Sequence, residues 1–260
     1  MDLSYFILGS GSKGNASLWS YDGFTIMIDA GFSGRELTRR IEKTGISPQS
    51  VEAILVTHEH NDHVTGLRVF ADRMGIGAYT NGLTRQRLEY LNKLPREVHL
   101  FTNGCIFQLG PFQVEPFSVP HDAADPVGFV LSVADYRIGI VTDLGHAGKM
   151  VRHKLRDCNV LLVESNHDVN LLLASSRPDH LKHRIMGRNG HLSNEHCTQL
   201  LEEIISPQTN HVILGHLSDE CNRPELAFEL ASDKVHHQLG YRDTIIDVAS
   251  QSEVLIPQFC

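Results

Sequence analysis

The stretch Thr57-His58-Glu59-His60-Asn61-Asp62-His63 decides how this chain is read, because it packs three imidazoles and the Asp62 carboxylate between His58 and His63. It follows the apolar run Val51–Thr57, which reads as a buried strand ending directly on His58. In a tight loop after a strand, His58 and His60 can point at one cation while Asp62 and His63 point at a second. Imidazole with carboxylate suits zinc, manganese or iron(II), and the lack of thiolate keeps harder metals in play. The bland alternative is a solvated, histidine-rich loop.

Working outward, other apolar runs also stop on potential ligands. Phe24–Ile28 ends at Asp29, Phe112–Val119 at His121, Tyr136–Val141 at Asp143, Val160–Val163 at Glu164, and Val212–Leu214 at His216. Ligands on loops at strand ends, held by a rigid sheet, are how α/β enzymes build sites. Leu3–Leu8 reads as a strand before the turn Gly9–Asn15, and Val127–Val133 with Tyr136–Val141 as a hairpin joined at Ala134-Asp135. Helices are expected over Ser33–Lys43, Leu83–Leu91 and Leu226–Leu239. Another is expected after a cap at Ser193 or Asn194, with Cys197, Leu200, Leu201, Ile204 and Ile205 on its buried face. Arg177–His191 is polar and basic without core periodicity. No repeat, low-complexity tract or linker interrupts the chain, so 1–260 is expected to be one domain.

Composition sets the limits. The 260 residues are 41% hydrophobic and 21% charged, as expected of a sizeable soluble core. With 23 basic and 31 acidic residues the net charge is −8, which excludes a protein basic all over, such as an architectural DNA binder. It leaves room for a nuclease whose field comes from cations and one local basic patch. The start Met1–Gly9 has no basic n-region, and no apolar stretch reaches membrane-spanning length. The five cysteines, Cys105, Cys158, Cys197, Cys221 and Cys260, form no CxxC pair, so a cytoplasmic protein is expected. The unusual count is 16 histidines, which puts metal ligation first among the chemistries to test.

His58-x-His60-x-Asp62-His63 resembles the HxHxDH signature of the metallo-β-lactamase superfamily. Asp29, His121, Asp143 and His216 match its further motifs in chain order. The resemblance implies an α/β fold, the four-layer αββα metallo-β-lactamase sandwich, with two divalent metal ions (zinc or manganese, iron also fitting). It implies one metal on His58, His60 and His121, the other on Asp62, His63 and His216, Asp143 bridging, and Asp29 buttressing the histidine loop. Flavodiiron proteins replace the second histidine by Glu, and many true β-lactamases carry Cys at the position of Asp143. The chain has His60 and Asp143, which suits phosphodiester, thioester or lactone hydrolysis.

Finer motifs narrow the branch. Glu164-Ser165-Asn166-His167, Gly190-His191-Leu192-Ser193 and Gly215-His216-Leu217-Ser218 look like the tRNA 3′-end nuclease (RNase Z) branch, where an acid and a histidine pair to protonate the leaving group. The Ser10–Asn15 turn, His121–Gly128 and the doubled His-Leu-Ser are similar to the YycJ/WalJ-like group of small bacterial nucleases. That resemblance implies a nucleic-acid substrate, DNA ahead of RNA, cut exonucleolytically from the 5′ end. Asp62 and Asp143 would orient a water activated between the metals. His191, held charged by Glu164, would protonate the departing oxygen.

Several residues keep two readings. Glu164 and His191 are the dyad, or a solvated acid and a helix-start residue. Ser10–Asn15 is a phosphate cradle or a structural turn. Ser193 and Ser218 bind phosphate or only cap and turn. Lys182–Arg188 is a strand-binding surface or a solvated loop. His99, His146, His153, His196, His211, His236 and His237 read as surface or structural. Two other function classes compete: a thioester or lactone hydrolase of the glyoxalase II or lactonase kind, with an apolar pocket and no use for the basic stretch, and a metal-stabilised binding module.

Overall fold

The computed structural model describes residues 3–257; Cys260 and the first two residues of the amino-terminal stretch lie outside them. The chain divides into two compact units. The first takes in the described residues up to Pro116, with Ala123–Val127 and the segment from Ser250. The second comprises Phe117–Asp122 and Gly128–Ala249.

In the first unit, β1 (Leu3–Gly9), β2 (Ala16–Tyr21), β3 (Phe24–Ile28), β4 (Val51–Leu55), β5 (Gly77–Thr80) and β6 (Val98–Leu100) form a six-stranded sheet in sequence order. The first three strands pair antiparallel, and β3 onward pair parallel. Parallel pairs need crossovers, and α1 (Gly34–Lys43) and α3 (Leu67–Met74) supply two of them, with α2 (Asn61–Val64) a single turn and α4 (Gly82–Tyr90) leading toward β6. The sheet's buried Leu18, Met27 and Ile54 cluster with Leu37 and Ile41 of α1 and Phe70 of α3. Ser33 caps α1 by accepting the Glu36 N–H at 3.3 Å, as its position before an apolar-periodic run predicts. β7 (Phe107–Leu109) pairs antiparallel with the start of β8 (Phe112–Ser118, in this unit as far as Pro116). Leu255 pairs back onto Ile7.

The second unit holds β9 (Val127–Val133, from its second residue on), β10 (Tyr136–Val141), β11 (Val160–Glu164), β12 (His211–Gly215) and β13 (Ile245–Val248). These strands follow the order β13-β12-β11-β10-β9, parallel except for the β9–β10 hairpin. β11 and β12 are buried throughout, which is why both read as unbroken apolar runs. Helices α5 (Lys149–Leu155), α6 (Val169–Ala174), α7 (Asp179–Met186), α8 (Asn194–Ile204) and α9 (Pro224–Ser232) complete the unit. Leu161, Val163, Val212 and Leu214 pack in one core with Leu200, Leu201 and Ile204 of α8.

The differences from the sequence reading have physical causes. β2 went unread because its serines look like loop residues. They are buried, with Ser17 accepting the Trp19 indole N–H at 2.9 Å and Ser20 the Thr25 hydroxyl at 2.9 Å. The polar stretch before His191 contains α7, which buries only Ile185 and so shows no core stripe. The closing helix is α9 followed by π-helical turns over Asp233–Gln238. Ser193, not Asn194, caps α8, accepting the His196 N–H at 3.2 Å. The four cysteines among the described residues are free, and no described helix is long and apolar enough to cross a membrane.

Candidate metal and acid–base site

In the first unit the histidine loop is held from below. Asp29 leaves β3 with φ 58°, a left-handed conformation unusual for a residue with a side chain. Its Oδ1 accepts the Thr57 N–H at 2.8 Å. Its Oδ2 accepts the Thr57 hydroxyl at 2.8 Å and lies 2.7 Å from His63 Nδ1. A proton on Nδ1 then leaves the Nε2 lone pair of His63 as its donor atom, the usual arrangement behind a metal-binding histidine. The His58 ring stands 4.6 Å from His60 and 4.1 Å from His63, centroid to centroid. Asp62 is half-exposed beside them, its Oδ2 3.6 Å from His63 Nε2.

The glycine turn supports this loop rather than offering a free cradle. Asn15 Oδ1 accepts from Ser10 Oγ (3.0 Å) and from the Gly11 N–H (2.9 Å). The N–H groups of Ser10, Lys13, Gly14 and Asn15 are also taken, by Ser250, Gln251, Gly11 and Asp62. Of the two readings of Ser10–Asn15, the structural turn is the one these bonds favour. Gly31 shows why the loop sits so close: a Cβ there would lie 1.8 Å from the Asp62 carbonyl oxygen.

The second unit gathers Asp143, Glu164, His191 and His216, whose donor atoms all lie within 4.8 Å of one another. Register explains it. Glu164 pairs with Gly215 across parallel β11 and β12, and Val141 with Val163 across β10 and β11, so the residues just past these partners emerge at one edge. Asp143 (φ 55°) and His216 (φ 56°) share the left-handed turn seen at Asp29. Such backbone costs about 1–3 kcal/mol per residue and concentrates at functional sites.

Glu164 is fully buried and all its capacity is used. Oε1 lies 2.8 Å from both His191 Nδ1 and His216 Nδ1, and Oε2 accepts the N–H groups of Leu144 (2.8 Å) and Leu192 (3.1 Å). Burial alone would raise its pKa. The charges and hydrogen bonds of His191 and His216 outweigh that and hold it down at about 2. Burial would lower the pKa of His191, but the Glu164 charge and hydrogen bond and the Asp143 charge leave it raised. His216 Nε2 is 3.6 Å from Asp143 Oδ1. His121 completes the group, with Nδ1 3.0 Å from the Gly190 carbonyl and Nε2 3.6 Å from Asp143 Oδ1; burial lowers its pKa toward the neutral form a ligand requires.

The donor set fits divalent ions. His63, His121 and His216 each have Nδ1 engaged by a carboxylate or carbonyl, which leaves Nε2 as the donor atom; Asp143 lies beside two of those nitrogens, and the Asn15 amide nitrogen lies 3.1 Å from the third, on His63. Sequence reasoning missed the double use of Glu164, and it missed Asp122, whose Oδ1 lies 3.3 Å from His121 Nε2 and whose Oδ2 accepts from Arg184 Nε at 2.6 Å. Ser193 and Ser218 have local duties, the latter accepting the Cys221 N–H at 3.2 Å. Lys182 donates to the Leu173 carbonyl at 2.7 Å.

A family described as the Beta-lactamase superfamily domain matches residues 25–216. The chain belongs to the metallo-β-lactamase superfamily. Within this superfamily it is 33% identical over 243 residues to the exodeoxyribonuclease YycJ of Bacillus anthracis, covering 93% of this chain and 92% of that one. It is 35% identical over 227 residues to the exodeoxyribonuclease WalJ of Streptococcus pneumoniae serotype 2, covering 86% and 84%. Among solved structures, the metallo-β-lactamase fold protein YhfI from Bacillus subtilis aligns with a TM-score of 0.73 at 12% identity, over 98% of this chain and all of that one. The expected fold class and the YycJ/WalJ-like relationship are thereby borne out, and the superfamily fold with its donor clusters marks the chain as a hydrolase.

Proposed function

We propose that this protein is a metal-dependent exonuclease that cleaves phosphodiester bonds in DNA from the 5′ end. The observation that carries the reading is the Glu164 carboxylate shared by His191 and His216, because it supplies an acid–base pair beyond what metal binding needs. The names of the two relatives aligned over most of their length support a nucleic-acid substrate.

His58, His60, Asp62 and His63 of the first unit and His121, Asp143 and His216 of the second are the proposed ligands that would hold two divalent ions, zinc or manganese. Bound there, such ions supply Lewis acidity toward phosphate oxygens and a more acidic water. The chain's own residues do the rest. Asp29 and Glu164 fix the tautomers of His63 and His216. Asp62 and Asp143 orient the attacking water by accepting hydrogen bonds from it. His191, with Nδ1 tied to Glu164 and its side chain 23% exposed, is positioned to give the Nε2 proton to the departing oxygen.

The thioester or lactone alternative requires an apolar pocket. The cavity at His191, about 160 Å³, mixes the apolar Leu181 and Ile185 with Asp122, Arg177 and Arg184, so it is not the purely apolar pocket that alternative calls for. The test is digestion of 5′- and 3′-labelled DNA and RNA by the unaltered protein and His191→Ala across several metals. Loss of cleavage in the variant supports the reading, and full activity in it removes His191 from the mechanism.

A further inference from the structure

Three cavities in the second unit share residues and so form one track. The cavity at His191 is lined by Asp122 and Arg184, which also line an open cleft of about 470 Å³ with Arg188. Arg188 in turn lines a third cleft of about 270 Å³, together with His146, Arg152 and His196. Leu192 and Leu200 line the same cleft, and no carboxylate does.

The state of these basic groups separates the third cleft from an ordinary charged surface. Arg152 is partly occupied, its Nη1 2.5 Å from Glu203 Oε1 and its Nε on the Ala147 carbonyl at 2.8 Å. The side chains of Arg188, His146 and His196 have no hydrogen bond or ion pair among the described residues. Four nitrogenous side chains face one cleft in a chain of net charge −8, where acidic partners are plentiful. Arg188 brings to this cleft a permanent positive charge with no ion-pair partner among the described residues, and an anion bound there supplies the counter-charge. The mutual field is felt at His146, whose pKa is lowered by burial and then by Arg188, Arg152 and His196.

We propose that Arg188, His146, Arg152 and His196 form a phosphate subsite, separate from the reacting phosphate, that holds the nucleic-acid strand at the far end of a track running from His191 past Arg184. This rests on the nuclease reading and assigns part of substrate binding to residues 146, 152, 188 and 196. The histidines at 146 and 196 thereby change from plain surface residues to binding groups. Met186, which is exposed and lines the same cleft, gives the sugar or base an apolar surface beside the anion.

The experiment compares the full, metal-loaded chain with Arg188→Ala, Arg188→Lys and the double variant His146→Ala/His196→Ala. All three positions are exposed, so folding is not at stake. The ratio of kcat/KM on a single-stranded oligonucleotide to that on bis(p-nitrophenyl) phosphate is expected to fall about tenfold in Arg188→Ala and in the double variant, and to recover in Arg188→Lys. Anisotropy of a labelled oligonucleotide across a salt series is expected to give a slope of log affinity against log salt shallower by about 1 in Arg188→Ala. Competition by a deoxynucleoside monophosphate, weaker in the variants, would assign the subsite to a terminal phosphate; competition by oligonucleotide alone would assign it to internal ones. An unchanged activity ratio together with an unchanged salt slope would overturn the subsite. If the unaltered protein cut no nucleic acid, the nuclease reading would fall, and the anisotropy slope would still decide the subsite.

Discussion

Glu164 Oε1 stands 2.8 Å from His216 Nδ1, the two residues projecting from the ends of adjacent parallel strands. The same oxygen is 2.8 Å from His191 Nδ1, so one buried carboxylate orients a proposed metal ligand and a proposed proton donor at once. Removing either histidine should therefore have separable effects.

His191→Ala is expected to lower kcat for nucleic acid by about 10²–10⁴-fold, the usual contribution of a positioned general acid. Bound metal should stay at the unaltered level, since Glu164 keeps His216 in place. Single-turnover cleavage and metal analysis of the purified variant check the two halves.

Asp29→Asn keeps the volume but weakens the acceptor facing His63 Nδ1 and Thr57. Metal affinity should fall about 10–100-fold, as for other groups behind a ligand. Titration against a chelator of known affinity measures it, and an unchanged affinity would show that the buttress is dispensable.

Gly31→Ala forces a Cβ to within 1.8 Å of the Asp62 carbonyl, where the contact is backbone and cannot swing aside. A loss of about 1–3 kcal/mol or more is expected in urea unfolding, with reduced metal content, because the loop carrying His58 to His63 must shift.

Glu36 gives a pH test away from the metals. Its hydrogen bond to Arg39, against a smaller opposing effect of burial and with help from Arg40, lowers its pKa from 4.5 to about 2. A carboxylate whose folded pKa is depressed stabilises the fold above the unfolded value, and that stability drains away as pH falls from about 4.5 toward about 2. The stability gap between the unaltered protein and Glu36→Gln should thus be largest near neutral pH and close on acidification, as read by denaturation at a series of pH values.

Much of this was legible in the chain because apolar strands stop on titratable residues. His58 three residues past β4, Asp143 two past β10, Glu164 closing β11 and His216 just past β12 all follow that rule. The rest depended on register and on polar groups that only a fold can pair. Nothing in the sequence says that Glu164 aligns with Gly215 and so reaches His216. The salt bridge of Arg184 with Asp122 joins residues far apart in the chain, and α7, with one buried side chain, carries no stripe to reveal it.

The most direct test is time-resolved digestion of 5′- and 3′-labelled single-stranded DNA by the manganese- or zinc-loaded protein. Progressive shortening from the 5′ end, abolished by chelator and reduced at least about 100-fold in His191→Ala, is the predicted result. DNA left intact under every metal, or cleaved equally well in excess chelator, would contradict the account.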